Sequence, residues 1–299
     1  MFTINDCEFV FAYGSNLNVP DFMRWCASED NELLRYESVA MLPDMRLCFN
    51  YYSNTRQGGV LNVMPALGSI VQGVLFKPNW EGWNALDRKE GAPYCYEKKL
   101  RQVILPDGFL VNAIVYEVVP VKREGFVEPN QNYLNVVREG LAHWQLSDEG
   151  LANAILDRAT TAAIDFLFVY GTIMRGQSRA YVLDEHIISC CSFQTKGELF
   201  STRYDFPAMR LLEDGDEKWV LGELVQLKDM AKLLPTLDKI EGFNGYSDSN
   251  SLYCRTLVAV DNTDSQHNLA WVYVMFDDRL FESWIESGSW REYMQDALN

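Results

Sequence analysis

The sequence predicts two tandem copies of one small α+β domain. Three observations predict it. At 299 residues the chain suits two domains of ordinary size, roughly 100–200 residues each. Four sequence blocks recur in the same order at similar spacing. Within each copy, short β-branched and aromatic runs outnumber helical stretches, which points to a curved, partly closed sheet with a few helices, a small mixed β-barrel.

The first block, Phe9–Leu17 with Tyr13-Gly14-Ser15-Asn16-Leu17 at its end, returns as Phe166–Met174 with Tyr170-Gly171-Thr172-Ile173. Each is strand-like until it breaks at a glycine. Val71–Phe76 matches Val220–Val225. Then come Trp80–Arg88 and Lys228–Lys239, helical in pattern, each ending beside a Glu-Gly pair: Glu90-Gly91 and Glu241-Gly242. Further strands are expected at Lys99–Leu105 and Leu110–Glu117 in the first copy, and at Tyr253–Val260 and Leu269–Met275 in the second. Helical stretches at Asn135–Leu141 and Glu149–Arg158 lead into Ala159-Thr160-Thr161-Ala162-Ala163, and the domains are expected at 1–158 and 159–299. No Pro/Gly/Ser-rich linker separates them, so they are expected to pack together.

Composition narrows the function. Hydrophobic residues make up 48%, enough for two cores, and 26 Lys+Arg stand against 42 Asp+Glu, a net charge of −16. A binder of nucleic acid needs a basic stripe to release counterions, so neither nucleic acid nor an anionic membrane is an expected partner. The first residues carry no positive, then apolar, leader pattern and no run approaches 18 apolar residues, so a soluble, cytoplasmic protein is expected. The seven cysteines form no CxxC pair and read as free thiols. His143, His186 and His267 are too few and too scattered for a metal site or a His-activated nucleophile in each copy. Chemistry in such a chain is expected to run on carboxylates, without metal or cofactor.

Each copy offers one pairing. A glycine at a strand end permits φ > 0 or close approach of the backbone to a ligand, and the N–H groups of such a turn can hold a carboxylate or an oxyanion. Alone, the Tyr-Gly turn is an ordinary strand end, and Glu90 or Glu241 an ordinary helix-end acid. Their recurrence in register, each glutamate about 70–80 residues beyond its turn, raises both to site candidates. Nearby aromatics, Tyr94 and Tyr96 in one copy, Phe243, Tyr246 and Tyr253 in the other, could dry the carboxylate and lift its pKa towards general-base range.

These residues resemble a known superfamily. The first half is similar to the γ-glutamylcyclotransferases, through Tyr13–Leu17, Pro43–Phe49, Gln57–Pro65, Val71–Phe76, Leu86–Ala92, Pro129–Leu134 and Glu139-Gly140. The second half is similar to the AIG2-like branch, which includes γ-glutamylamine cyclotransferases, through Phe168–Gln177, Phe206–Ala208, Gly222–Leu224, Leu237–Glu241, Tyr253–Arg255 and Ile285–Trp290. The resemblance implies a six-stranded barrel-like α+β fold and a metal-free reaction on a small γ-glutamyl molecule. The substrate's α-amine attacks its own γ-carbonyl, closing 5-oxoproline and expelling an amine or amino acid. Such a ring closure asks the protein mainly to hold the reactive conformer. By the same resemblance Glu90 and Glu241 are the acid/base residues. Tyr13, Gly14, Ser15, Asn16 and Leu17, with Tyr170, Gly171, Thr172 and Ile173, are the binding loops. Tyr96, Tyr116 and Tyr133 match pocket tyrosines, and Tyr253 and Arg255 match the second branch. Two departures stand out. The Tyr-x-Arg of the family is Tyr96-Glu97-Lys98 in the first copy, and Gly245–Ser251 looks inserted in the second, where it could reshape the entrance. A binding module with relic glutamates, or an enzyme cleaving another γ-glutamyl amide or a protein isopeptide link, remain the alternatives.

Overall fold

A computed structural model describes residues 4–26, 32–158, 164–212, 216–261 and 267–296. The chain divides into two compact units, one of residues 1–105 with 110–163, the other of residues 106–109 with 164–299. The expected junction at Ala159–Ala163 lies outside the described residues.

In the first unit, strand β1 (Val10–Ala12) leads through a single 3₁₀ turn, Ser15–Leu17, into helix α1 (Val19–Cys26). Strands β2 (Leu34–Ser53) and β3 (Gly58–Pro78) form one long antiparallel hairpin. Helix α2 (Trp80–Glu90), β4 (Tyr96–Ile104), β5 (Leu110–Val118), α3 (Gln131–His143) and α4 (Glu149–Ile155) follow. The barrel closes in the order β1-β3-β2-β4-β5, with β5 returning parallel to β1 at Val10↔Ile114. It therefore has five strands where the family resemblance implies six. The physical reason is the length of β2 and β3, at 20 and 21 residues. Register shifts at Tyr36/Ser38, Pro43/Met45 and Phe49/Tyr52 bend this hairpin, as bulges do, so that each strand curves round the barrel.

The second unit repeats the plan with a broken hairpin. Its strands are β6 (Phe166–Val169), β7 (Ile187–Lys196), β8 (Glu198–Thr202), β9 (Pro207–Arg210) and β10 (Trp219–Leu227). Helix α5 (Met230–Glu241), β11 (Cys254–Asp261), β12 (His267–Val274), β13 (Phe281–Trp284) and α6 (Trp290–Asp296) complete it. Among the described residues the strands form one sheet of order β11-β12-β6-β10-β7 and a separate one of order β13-β8-β9. Strand β12 runs parallel to β6 at Trp271↔Leu167, as β5 does to β1.

Packing fixes what matters for the site. Phe11, Phe22, Phe49, Phe76 and Leu86 are at most 1% exposed in the first core, and burying a side chain of this kind contributes about 1.5–3 kcal/mol. Helix α3 lies against the 15–17 turn. A Cβ on Gly140 would meet Leu17 Cβ at 2.6 Å, so a glycine is needed for that approach. Trp144 Nε1 donates to Leu17 O (2.8 Å), and Asn18 Nδ2 to Glu139 Oε2 (3.0 Å). The turn is thus clamped from below. No described helix is long and apolar enough to cross a membrane, and all seven cysteines are free thiols.

Candidate active sites

Helix periodicity delivers the two glutamates. Residues four apart share a helix face, and Leu86 and Leu237, each four before its glutamate, are at most 1% exposed. The face that buries the leucine also carries the carboxylate inward. Both helices stop there because Gly91 (φ 61°) and Gly242 (φ 63°) adopt the left-handed conformation. Ala92 N then donates to Asp87 O (2.9 Å) and Phe243 N to Asp238 O (2.8 Å), a helix-ending pattern that glycine favours.

Each glutamate opens onto a cavity that its own Tyr-Gly turn also lines. The first cavity, about 360 Å³, is bounded by Tyr13, Gly14, Ser15, Asn16, Glu90 and Tyr133, among others. The second, about 240 Å³, is bounded by Tyr170, Gly171, Thr172, Ile173, Glu241 and Tyr253, among others. Tyr96 and Tyr116 also line the first. Leu17 and Arg255 do not line them. Leu17 is wholly buried, an anchor under the turn. Arg255, expected among the binding residues, is turned away because Asp238 takes it: Nε lies 2.9 Å from Oδ1, and the guanidinium stacks 4.8 Å from the Trp271 ring.

That pairing explains the first departure noted above. Lys98 Nζ donates to Asp87 Oδ2 (2.8 Å), and Tyr116 OH to Asp87 Oδ1 (2.6 Å). In the second unit Tyr273 OH donates to Asp238 Oδ1 (2.6 Å) beside Arg255. Lysine and arginine do the same job on the same helix. The extra Gly245–Ser251 segment lines neither cavity and closes on itself through Leu252 N to Gly242 O (2.9 Å). Tyr253 therefore returns to the place of Tyr96: each hydroxyl donates to a strand carbonyl, Pro207 O (2.5 Å) and Leu61 O (2.8 Å).

The tyrosines are walls. Tyr13 OH donates to Tyr116 O (2.6 Å) and Tyr170 OH to Tyr273 O (2.7 Å), while Tyr133 OH accepts from Leu61 N (3.1 Å). Burial pushes all these phenols far up, so they stay neutral. The glutamates differ. Burial raises the Glu90 pKa, opposed by the Lys89 ammonium, by a hydrogen bond from Asn16 Nδ2 (2.7 Å) and by Arg56. Burial raises Glu241 to about 7, opposed only by Arg179. A carboxyl near neutrality can both take and return a proton. The leading N–H groups of a 3₁₀-type turn have no partner within the turn, and Ser15, Asn16, Thr172 and Ile173, at the start of the two turns, line the cavities.

Gly14 has φ −127°, so it is not a left-handed turn, and a Cβ there would meet its nearest neighbour, Tyr133 OH, at an ordinary 3.4 Å. Sequence reasoning did not single out Lys89, Arg56, Asp21 or Arg179. Lys89 and Arg179 sit beside the Glu-Gly and Tyr-Gly motifs, but nothing in a lone charged residue marks it as inward-facing. Among the described residues no group of three or more His, Cys, Asp or Glu could hold a metal ion.

A family profile described as "Gamma-glutamyl cyclotransferase, AIG2-like" matches residues 10–135 and again 167–292. A γ-L-glutamyl-butirosin B γ-glutamyl cyclotransferase of Niallia circulans is 26% identical over 127 residues, 42% of this chain and 76% of that protein. Among solved structures, a γ-glutamyl cyclotransferase is 25% identical with a TM-score of 0.43, covering 49% of this chain and 85% of its own. YkqA of Bacillus subtilis is 15% identical with a TM-score of 0.40, and the match covers 96% of this chain and 92% of that one.

Proposed function

The chain belongs to the γ-glutamyl cyclotransferase, AIG2-like family, and from that premise we propose that its two domains, 1–158 and 159–299, each release 5-oxoproline from a small γ-glutamyl compound. The observation that carries this reading is the pairing, made twice, of a half-buried carboxyl of raised pKa with a Tyr-Gly turn across one cavity. Glu90 or Glu241 accepts a proton from the substrate's α-ammonium. The freed amine attacks the γ-carbonyl carbon, the new C–N bond closes the five-membered ring, and the bond to the leaving nitrogen breaks. The proton passes from the carboxyl to that nitrogen, and the ring nitrogen gives up its second proton, which leaves with the expelled amine as its ammonium, so atoms and charge balance. N–H groups of the turn hold the substrate carboxylate or the oxygen that gains charge. The walls of tyrosine fix the reactive conformer.

The two domains take different leaving groups in this reading. The first cavity is larger and has Arg56 and Arg88 in its wall, which suits a leaving amino acid with its own carboxylate. The second is smaller, with one arginine, Arg179, against two, and with Phe206, Pro207 and Leu252 in its wall, which suits an amine. Purified chain incubated with γ-glutamyl amino acids and γ-glutamyl amines is expected to release 5-oxoproline, followed by mass spectrometry. Glu90→Gln should lower release from the first class and Glu241→Gln from the second, each by about 10²–10⁴-fold. Folded wild-type chain that yields none from either class would overturn the reading.

A further inference from the structure

The residue before the glutamate is Lys89 in the first unit and Ile240 in the second. The Lys89 side chain is only 6% exposed, an unusual place for an ammonium. It lies 5.4 Å from the Phe22 ring and 3.7 Å from Asp21 Oδ2, and it donates to Asn16 Oδ1 at 2.8 Å. Asp21 is held in turn by Arg56 at 2.6 Å. An ammonium can only donate, so Asn16 must turn its carbonyl towards Lys89 and its NH₂ group the other way. Glu90 Oε1 lies on that other side, 2.7 Å from Asn16 Nδ2.

We propose that Lys89 is a positioning residue of the first site, locking the Asn16 amide so that its NH₂ group holds the Glu90 carboxylate as an acceptor aimed into the cavity. The inference rests on the reading of Glu90 as the acid/base group. Asn16 therefore has a dual place, one face of its side chain set by a cation and the other setting the base. The second site has no such relay: Ile173 stands where Asn16 does, and Ile240 where Lys89 does. The groups facing Glu90 are Lys89 from its own helix, Tyr13 and Asn16 from β1 and its turn, Arg56 from the β2–β3 turn, Tyr96 and Tyr116 from β4 and β5, and Tyr133 from α3. Of these, Lys89 is the strongest influence favouring the carboxylate, and the tyrosines are neutral. Losing the cation and freeing the amide to flip both favour the protonated acid. The acid limb of the first site's rate profile then moves to higher pH.

The test uses full-length chain carrying Glu241→Gln, so that only the first site reports. Lys89→Met in that background, with ¹³C-carboxyl glutamate and the Glu90 signal identified by its loss in Glu90→Gln, is expected to raise the Glu90 midpoint by about one pH unit or more. The acid limb of kcat/KM should rise by the same amount, and Lys89→Arg, which keeps a cationic donor, should restore most of it. If Lys89→Met does not fold by circular dichroism, Lys89→Gln carries the same expectation. An unchanged Glu90 midpoint in a folded Lys89 variant overturns the proposal. A Glu241→Gln parent that makes no 5-oxoproline counts against activity at the first site, while the titration still decides the positioning role.

Discussion

The two sites share a skeleton and differ in what surrounds the carboxylate. In both, a helix ends on a left-handed glycine, an aspartate about one helical turn before the glutamate, Asp87 or Asp238, is held by a tyrosine and a cation, and a tyrosine hydroxyl ties the end of the unit's first strand to the strand that runs parallel to it, β5 or β12. Around Glu90 stand Asn16, Lys89 and Arg56; near Glu241 only Arg179 opposes burial. The backbone thus delivers a carboxyl to a cavity, and a few neighbouring side chains decide how readily it ionises. Duplication kept the first and varied the second.

The sharpest way to break this comparison is at the turn glycines. A Cβ on Gly171 would meet the rigid Pro207 ring at 2.6 Å (Cγ) and 3.1 Å (Cδ), whereas one on Gly14 would sit at ordinary distance, 3.4 Å from Tyr133 OH and 3.6 Å from Leu61 Cβ. Gly171→Ala must displace the binding turn by close to an ångström, and misplacement on that scale lowers rate by about 10²-fold. Gly14→Ala should be the milder change. Steady-state release of 5-oxoproline, each variant assayed on the substrate class proposed for its domain, checks this. Equal losses would mean that the glycines serve the ligand alone and not the protein's own packing.

How much of this was legible in the sequence differs by kind of feature. The Tyr-Gly turns, the helix-end glutamates and the strands around them follow from local chemistry repeated in register, and repetition turned weak signals into strong ones. Arg255 does not line the cavity although its motif suggests a binding residue, because a motif names a residue and not its direction. Its orientation depends on Asp238, 17 residues earlier, and on the Trp271 ring. The closure of β2 and β3 into a five-stranded barrel rests on bulges at Pro43/Met45 and elsewhere, and a bulge is a one-residue shift of register that composition hardly marks. The Lys89–Asn16–Glu90 relay joins residues about 70 apart, so only the folded chain brings them together.

Stability gives a second, smaller contrast. Glu241 titrates at about 7 when folded against an ordinary 4.5, so the folded state holds this proton more tightly than the unfolded one. That preference is fully present below about pH 4.5 and is lost as pH rises through 7, leaving a buried charge above it. The whole shift corresponds to at most about 3 kcal/mol, an upper bound for a carboxyl that lines a cavity. Glu241→Gln should therefore raise the melting temperature of the second unit at pH 8 and leave it nearly unchanged at pH 5. Glu90→Gln should gain less at pH 8, because it removes a partner of Lys89 and Asn16 along with the charge. A pH-independent gain for Glu241→Gln would mean that the carboxyl is not the strained group.

The smallest expected contrast is at the helix ends, where the difference between units should vanish. Gly91 and Gly242 share the left-handed conformation, at φ 61° and 63°, and a Cβ on either would meet one neighbour at 3.1 Å, Cys95 Sγ or Leu252 Cβ. An L-residue in that conformation costs about 1–2 kcal/mol. Gly91→Ala and Gly242→Ala should each destabilise their own unit by that amount in denaturant melts. Asparagine, which enters the left-handed region more readily, should cost less at both positions. Matched losses place the distinction between the sites in side chains alone. A much larger loss at Gly242 would instead assign part of it to the backbone, because there the chain continues into the extra 245–251 segment, and the helix end would then be supporting a loop that the first unit lacks.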